Sequence, residues 1–376
     1  MDVKKTTVTE KPVKQPLFHI IKRAPIAWYE AWMIRAIAIV AAFVLMALVS
    51  IVLVGENPFK IFATIFSGAF GYAGRIWTLF YSTAILLLIA LALTPAFKMH
   101  FWNIGAEGQV LFGGLCAILC MVALGKTSLP NFVVLIIMLA AALLGGILWA
   151  VIPAFFKSQW GTNETLFTLM MNYVAICLVS FVIQAMYPKG TGTMGIVNPD
   201  NNLGWLPTIG NGRGRNYILS IVIIALITGI MYVYLKYSKH GYEISVVGES
   251  EKTAKYIGIN VKKVIIRTMA LSGALCGLVG YLLVSGYNHS ISTDAVGGRG
   301  FTAIMVAWLA KFNPAVMFFA SFLICFLQTG AAQVANDFQI DKAYGDILTG
   351  IILFFIIGCE FFINYQICFR KKQKEA

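Results

Sequence analysis

The chain has 376 residues, 59% of them hydrophobic and only 12% charged, with a formal net charge of +13 and a mean hydropathy of +0.80. A soluble domain is about 45–50% apolar and about 25% charged, so this composition excludes a water-soluble globular enzyme and calls for lipid-facing surface. The fold class it predicts is all-α: a polytopic membrane protein with about ten transmembrane helices, two of them short or broken, plus a helix in a cytoplasmic loop.

Residues 1–33 form a basic leader containing Lys4, Lys5, Lys11, Lys14, Lys22 and Arg23. The apolar run that follows, 34–54, is longer than the 7–15-residue core of a signal peptide and reads as a retained span. In the stretch 55–71, Asn57-Pro58 supplies an N-cap followed by Pro at the first helical position, and an apolar face there predicts a helix lying at the outer interface.

The next spans are 76–94, 110–124, 131–156 and 165–187. Between the first two of these stands "HFWNIGAEGQVLFGG" (His100 to Gly114), which places Asn103, Glu107 and Gln109 beside Gly105 and Gly108 at the mouth of an apolar run. An intramembrane carboxylate is costly and faces protein or a water-filled path. Two readings fit: a structured, glycine-softened break supporting a pathway, or a cytoplasmic turn in which Glu107 caps its own helix. The segment "GTNETLFTLMMNYVA" offers Thr162 or Asn163 as an N-cap with Glu164 in the first turn. Its Thr168 and Asn172 share one face at i, i+4, suited either to hydrogen bonds across helices or to lining a path.

A Gly/Pro/Asn-rich loop, 187–216, is expected outside, followed by a span at 217–235 and a mixed-charge cytoplasmic loop at 236–264. Within that loop "SEKTAKYIGI" has the length of a short helix closed by Gly258. In the span 265–286, Gly273, Gly277 and Gly280 suit close helix packing. The run 301–311 covers only about 16 Å of helix, too little to cross, and reads as half of a broken element. Spans 315–334 and 345–364 complete a transmembrane domain of 34–364, before a basic tail at 365–376.

With the N-terminus inside, most of the 29 Lys and Arg residues fall on the cytoplasmic side, as the positive-inside rule requires. The charge is therefore an orientation signal with anionic membrane lipids as its partner, not a nucleic-acid surface, and both termini are expected in the cytoplasm. The seven cysteines lie mostly within spans and read as packing residues. Cys116 and Cys120 have no His or acidic cluster to complete a metal site. "GKT" at 125–127 has Cys120 where a phosphate-binding loop needs Gly. No catalytic or metal residues are assigned.

Four stretches, in order over roughly residues 55–360, resemble the permease subunits of ABC importers of the ribose, branched-chain amino acid and nucleoside type. "FWNIGAEGQ" is similar to F-N-I-G-x-E-G-Q of the nucleoside permeases, and "TLFTLMMNYVA" to T-L-M-L-N-Y-I-A. "HGYEISVVGESEKTAKYIGINVKK" resembles the loop carrying the coupling helix, and "GRGFTAIMVAWLAKFNPAVM" resembles G-F-x-G-I-A-V-A-L-L-G-x-N-x-P. Departures are His100 and Trp102 around the first motif, and Ala303 and Trp308 in the last.

The resemblance implies a nucleoside importer in a bacterial inner membrane. Its partners would be a second, non-identical permease subunit, two copies of an ATPase subunit and an extracellular substrate-binding lipoprotein. No cofactor is bound by this chain, and ATP is used by the partner. Coupling to the ATPase would fall on Gly248, Glu249, Ala254, Tyr256 and Gly258. A neutral nucleoside needs amides, hydroxyls and aromatic faces, which Trp102, Asn103, Gln109, Thr168, Asn172 and Tyr173 supply, with Glu107 among them as an internal hydrogen-bonding group. The alternatives are a ribose-type sugar permease and a secondary transporter using Glu107.

Overall fold

A computed structural model of the chain describes residues 18–24, 27–186, 192–209, 214–341 and 343–369. In chain order they form β1 (Phe18–Lys22), α1 (Trp28–Val54), α2 (Pro58–Phe70), α3 (Ala73–Lys98), α4 (Ala106–Leu124), α5 (Asn131–Trp160), α6 (Glu164–Met186) and α7 (Arg215–Tyr237). Then come α8 (Lys239–Glu249), α9 (Glu251–Tyr256), α10 (Val261–Leu282) with a π-helical extension (Leu283–Asn288), α11 (Arg299–Leu309), α12 (Pro314–Asp337), α13 (Ala343–Asn364) and β2 (Tyr365–Phe369).

Among the described residues nine helices are long and apolar enough to cross a bilayer, while Pro58–Phe70 and Arg299–Leu309 are shorter. The architecture is thus helical and polytopic, with α11 as the half-length element. One expected short span is full length: α4 begins at Ala106, and its 19 residues include Glu107, Gly108 and Gln109. Hydropathy begins that span late because these residues are polar or small. They enter the helix because protein, not lipid, covers them. The parts of the expected external loop at 187–191 and 210–213, and the outermost residues of both basic ends, lie outside the described residues.

Packing separates two compact units, one of the residues up to Ile61 with those from Asp346 on, the other Phe62–Gly345. In the first, β1 and β2 pair antiparallel, Phe18 opposite Phe369 and Lys22 opposite Tyr365, within segments legible in sequence only as basic ends. Arg35 on α1 meets Glu360 on α13 at 2.7 Å. Asn57 Oδ1 accepts from the Phe59 N–H at 2.9 Å, the cap anticipated for α2.

The second unit is centred on α10. A side chain at Gly273 or Gly277 would run into α5 backbone at Gly146 and Ala142, and one at Gly280 into α4 backbone at Val110 and Gly114. The glycine stripe therefore permits backbone-to-backbone approach, the usual way membrane helices gain dispersion energy. Beside it α3 is buried continuously from Thr83 to Phe97.

Candidate functional site

The chain break between α3 and α4 is built like a helix stop followed by a non-helical segment. His100 adopts the left-handed conformation (φ 57°). The Phe101 N–H bonds the Ala96 carbonyl and the His100 N–H the Phe97 carbonyl, both at 3.0 Å, the paired pattern of a Schellman motif with His in glycine's place. Residues 101–105 are non-helical, so their backbone groups need partners from elsewhere.

Those partners come from α6. The Ile104 N–H donates to Thr168 Oγ1 at 3.1 Å, the Gly108 N–H to Asn172 Oδ1 at 2.8 Å, and Asn172 Nδ2 to the Ile104 carbonyl at 2.9 Å. Asn103 Oδ1 accepts from the Gly105 N–H at 3.0 Å and from Gln109 Nε2 at 3.1 Å, while Asn103 Nδ2 reaches Ser272 of α10 at 3.4 Å. Asn103, Gln109, Thr168 and Asn172 are each at most 2% exposed. The i, i+4 pair Thr168/Asn172 thus bonds across helices, and Asn163 rather than Thr162 caps α6, accepting from the Leu166 N–H at 3.1 Å. Lys157 and Glu164 close the base of α6 at 2.8 Å.

Glu107 does not cap its own helix. Its Oε1 accepts from the Gly298 N–H at 2.9 Å and its Oε2 from the Gly300 N–H at 2.7 Å, so it caps α11, whose first-turn N–H groups have no partners within that helix. The carboxylate also faces the positive end of the α11 dipole. Gly300 is required at this approach: a Cβ there would sit 2.7 Å from Glu107 Oε2. Both oxygens of the acid are therefore engaged in holding a half-length helix within the bundle.

The aromatic candidates differ from the amides in being open. Trp102 is 45% and Tyr173 59% exposed. The Trp102 ring stacks on Trp308 of α11 with centroids 5.3 Å apart and planes at 13°, and both abut Phe97. The seven expected pathway residues therefore form two groups. One is a buried polar lattice of Asn103, Glu107, Gln109, Thr168 and Asn172. The other two, Trp102 and Tyr173, are exposed aromatics, and the fold stacks Trp308 on Trp102.

Sequence reading missed a second polar region. Tyr81, Tyr217 and Tyr287 cluster with centroids 5.1–5.9 Å apart. Tyr287 also borders a recess of about 560 Å³ lined by Thr193, Asn288, Ser290, Ser292 and Asp294. These residues come from α3, α7, the π-helical extension and two loops, so no local pattern links them.

The loop between α7 and α10 folds onto the main bundle. Ser238 caps α8, Ser250 caps α9 and Asn260 caps α10, each accepting from a backbone N–H. Gly248 lies against the Lys98 carbonyl at the end of α3, where any side chain would collide, and Arg267 of α10 holds Glu243 of α8 at 2.7 Å. That hydrogen bond pulls the Glu243 carboxyl below the ordinary carboxylate range. At the end of α9 the Ile259 N–H bonds the Ala254 carbonyl (2.9 Å) and the Gly258 N–H the Lys255 carbonyl (3.1 Å), with Gly258 at φ 85°. Of the five expected coupling residues, Gly248 and Ala254 are buried and Glu249, Tyr256 and Gly258 exposed. Tyr256, at 92% exposure, projects from the loop.

Among the described residues no cluster of three or more His, Cys, Asp or Glu could hold a metal ion. A family model described as branched-chain amino acid transport system / permease component matches residues 75–357. The nucleoside ABC transporter permease protein NupB of Lactococcus lactis is 30% identical over 333 residues, 86% of this chain and 90% of that protein. The guanosine ABC transporter permease protein NupP of Bacillus subtilis is 27% identical over 86% of this chain and 92% of its own length. The glucose ABC transporter permease protein TsgB13 of Haloferax volcanii is 28% identical over 75% and 76%. The matched region runs from α3 into α13 and contains every site described above from Tyr81 to Asp294, so the chain belongs to the branched-chain amino acid transport system / permease component family.

Proposed function

We propose that this chain is the membrane permease of an ABC importer that moves nucleosides across a bacterial cell membrane, energised by ATP hydrolysis on a separate ATPase subunit. The observation that carries the reading is its likeness to NupB over 86% of its length. The site chemistry supports it. Amide and hydroxyl groups of the buried lattice are spent on the backbone of the break and on one another, so the substrate path runs along the exposed face marked by Trp102, Trp308 and Tyr173, against a second permease subunit. Stacking surfaces of that kind suit a nucleobase.

In this reading the surface of α8 and α9 bearing Glu249, Tyr256 and Gly258 docks on the ATPase. Gly248 and Ala254 act beneath it by fixing the loop against α3. That end of the molecule faces the cytoplasm, together with both termini, and two ATPase copies and an extracellular substrate-binding lipoprotein complete the importer. The recess beside Tyr287 and Asp294 lies toward the outer face, where substrate enters.

The test is uptake of radiolabelled guanosine and uridine into proteoliposomes holding the reconstituted complex. ATP-dependent uptake competed by unlabelled nucleosides, but not by ribose or glucose, is the expected result. Competition by glucose alone would establish the sugar reading that the TsgB13 likeness favours. Uptake driven by a proton gradient without ATPase would establish a secondary transporter. The engagement of both Glu107 oxygens by backbone N–H groups argues against that last case.

A further inference from the structure

The β1–β2 ribbon brings the two ends of the chain together, and beside it runs a groove that the importer reading leaves without a role. The groove lies between α1 and α13 and encloses about 670 Å³. It is lined by small residues, Ala38 and Ala41 on α1 and Gly358 on α13, and by larger apolar ones such as Ile37 and Phe355. A Cβ at Gly358 would meet nothing within 4 Å, so the furrow is real space rather than a seam closed by neighbouring atoms.

The groove is apolar along its length but not at its end. There Arg23, Tyr365 and Gln366 line it, with the Arg23 guanidinium 3.4 Å from the Phe362 carbonyl. On the α13 side, the acid nearest in sequence to Tyr365, Glu360, is already engaged by Arg35. Lys22 is exposed next to Arg23. The ribbon register sets Lys22 opposite Tyr365, so this second cation stands at the same end of the ribbon as Arg23. A hydrocarbon-lined furrow with Arg23 and Lys22 at one mouth is complementary to one class of molecule, an acyl chain carrying an anionic headgroup. Basic pockets between membrane helices bind anionic lipids on this principle.

We infer that the groove between α1 and α13 is a binding site for an anionic phospholipid, with an acyl chain against Ala38, Ala41 and Gly358 and the phosphate at Arg23. Lys22 adds a second cation beside the phosphate, and the bound lipid in turn joins α1 and α13.

The test is native mass spectrometry of the assembled transporter with added phosphatidylglycerol or phosphatidylcholine. The wild type should retain phosphatidylglycerol in preference. Arg23→Gln should lower that preference about fivefold, the effect of one surface cation, while still accepting lipid. Gly358→Leu should fill the furrow and abolish retention of both lipids. Ala38→Leu, from the facing wall, repeats the filling in case Gly358→Leu lowers the yield of folded protein. Equal retention of the two lipids by the wild type, or undiminished phosphatidylglycerol on both filled variants, would overturn the inference. So would loss of the second permease subunit from either filled variant, which would make the groove a subunit interface.

Discussion

Glu107→Gln separates the structural account of this acid from a proton-carrying one. The carboxylate accepts two backbone N–H groups of α11, at 2.9 and 2.7 Å. Hydrogen bonds to a charged group contribute about 1.5–3 kcal/mol each, and a buried donor left without an acceptor costs about 1–3 kcal/mol. The amide keeps one acceptor oxygen and turns an NH2 toward the other N–H, so one bond is lost outright and one becomes neutral. The favourable charge–dipole term, up to about 2 kcal/mol, goes as well. Against this stands relief of the cost of burying a charge, several kcal/mol, which leaves a net destabilisation of about 2 kcal/mol.

Hydrogen exchange at the start of α11 reads this locally. Amides of residues 298–301 should exchange roughly 30-fold faster, since about 1.4 kcal/mol is a factor of ten. Glu107→Ala, which removes both acceptors, should have the larger effect. The Tm of the purified complex should fall by several degrees in the same order, and ATP-dependent uptake should follow the folded fraction. Unchanged exchange and Tm with abolished gradient-driven uptake would refute the capping role and make Glu107 a proton carrier.

Other sites give sharp expectations. Gly300→Ala places a methyl group 2.5 Å from the Glu107 backbone nitrogen and 2.7 Å from Oε2, so it should disturb the α11 amides as Glu107→Gln does, with the carboxylate intact. Asn172→Leu strands the Gly108 N–H and the Ile104 carbonyl, which Asn172 alone is seen to pair; a loss of about 2–4 kcal/mol is expected, visible as a lower Tm. Tyr256→Ala should leave Tm unchanged and weaken capture of the ATPase subunit in pull-downs, whereas Ala254→Asp, buried beneath, should lower Tm as well. The Glu243 carboxyl is held below its ordinary range by Arg267, so its contribution is present at neutral pH. That contribution is lost as pH falls below about 4, the range in which free Glu titrates. Protection of α8 amides should drop across that interval, and Arg267→Met should remove the pH dependence.

Much of the bundle was legible because lipid imposes a simple rule. A segment must be apolar for about 20 residues, and its polar neighbours then mark the ends. Individual roles in the break were less legible. Thr168 and Asn172 could be placed on one face by their spacing, but whether that face met another helix or a path depends on what packs against it. Glu107 was expected to hydrogen-bond internally, yet its partners are 191 and 193 residues away, beyond the reach of any local pattern. Trp308 stood out as a departure from the family motif, but its stack on Trp102 needed the two elements to meet. Gly248 and Ala254 shared a motif with Tyr256, and only the fold of α8 and α9 turns two inward and the third out.

By itself the sequence determined that this is a helical, polytopic permease, because hydropathy, helix caps and motif order are properties of consecutive residues read one at a time. Tertiary structure alone decided that Glu107 caps α11, that the side chains of Asn103, Thr168 and Asn172 satisfy the backbone of the break, and that β1 and β2 are joined beside an apolar groove. Those outcomes depend on which distant backbone groups come within about 3 Å, and in hydrocarbon, where no water can substitute, that proximity fixes what each polar residue does.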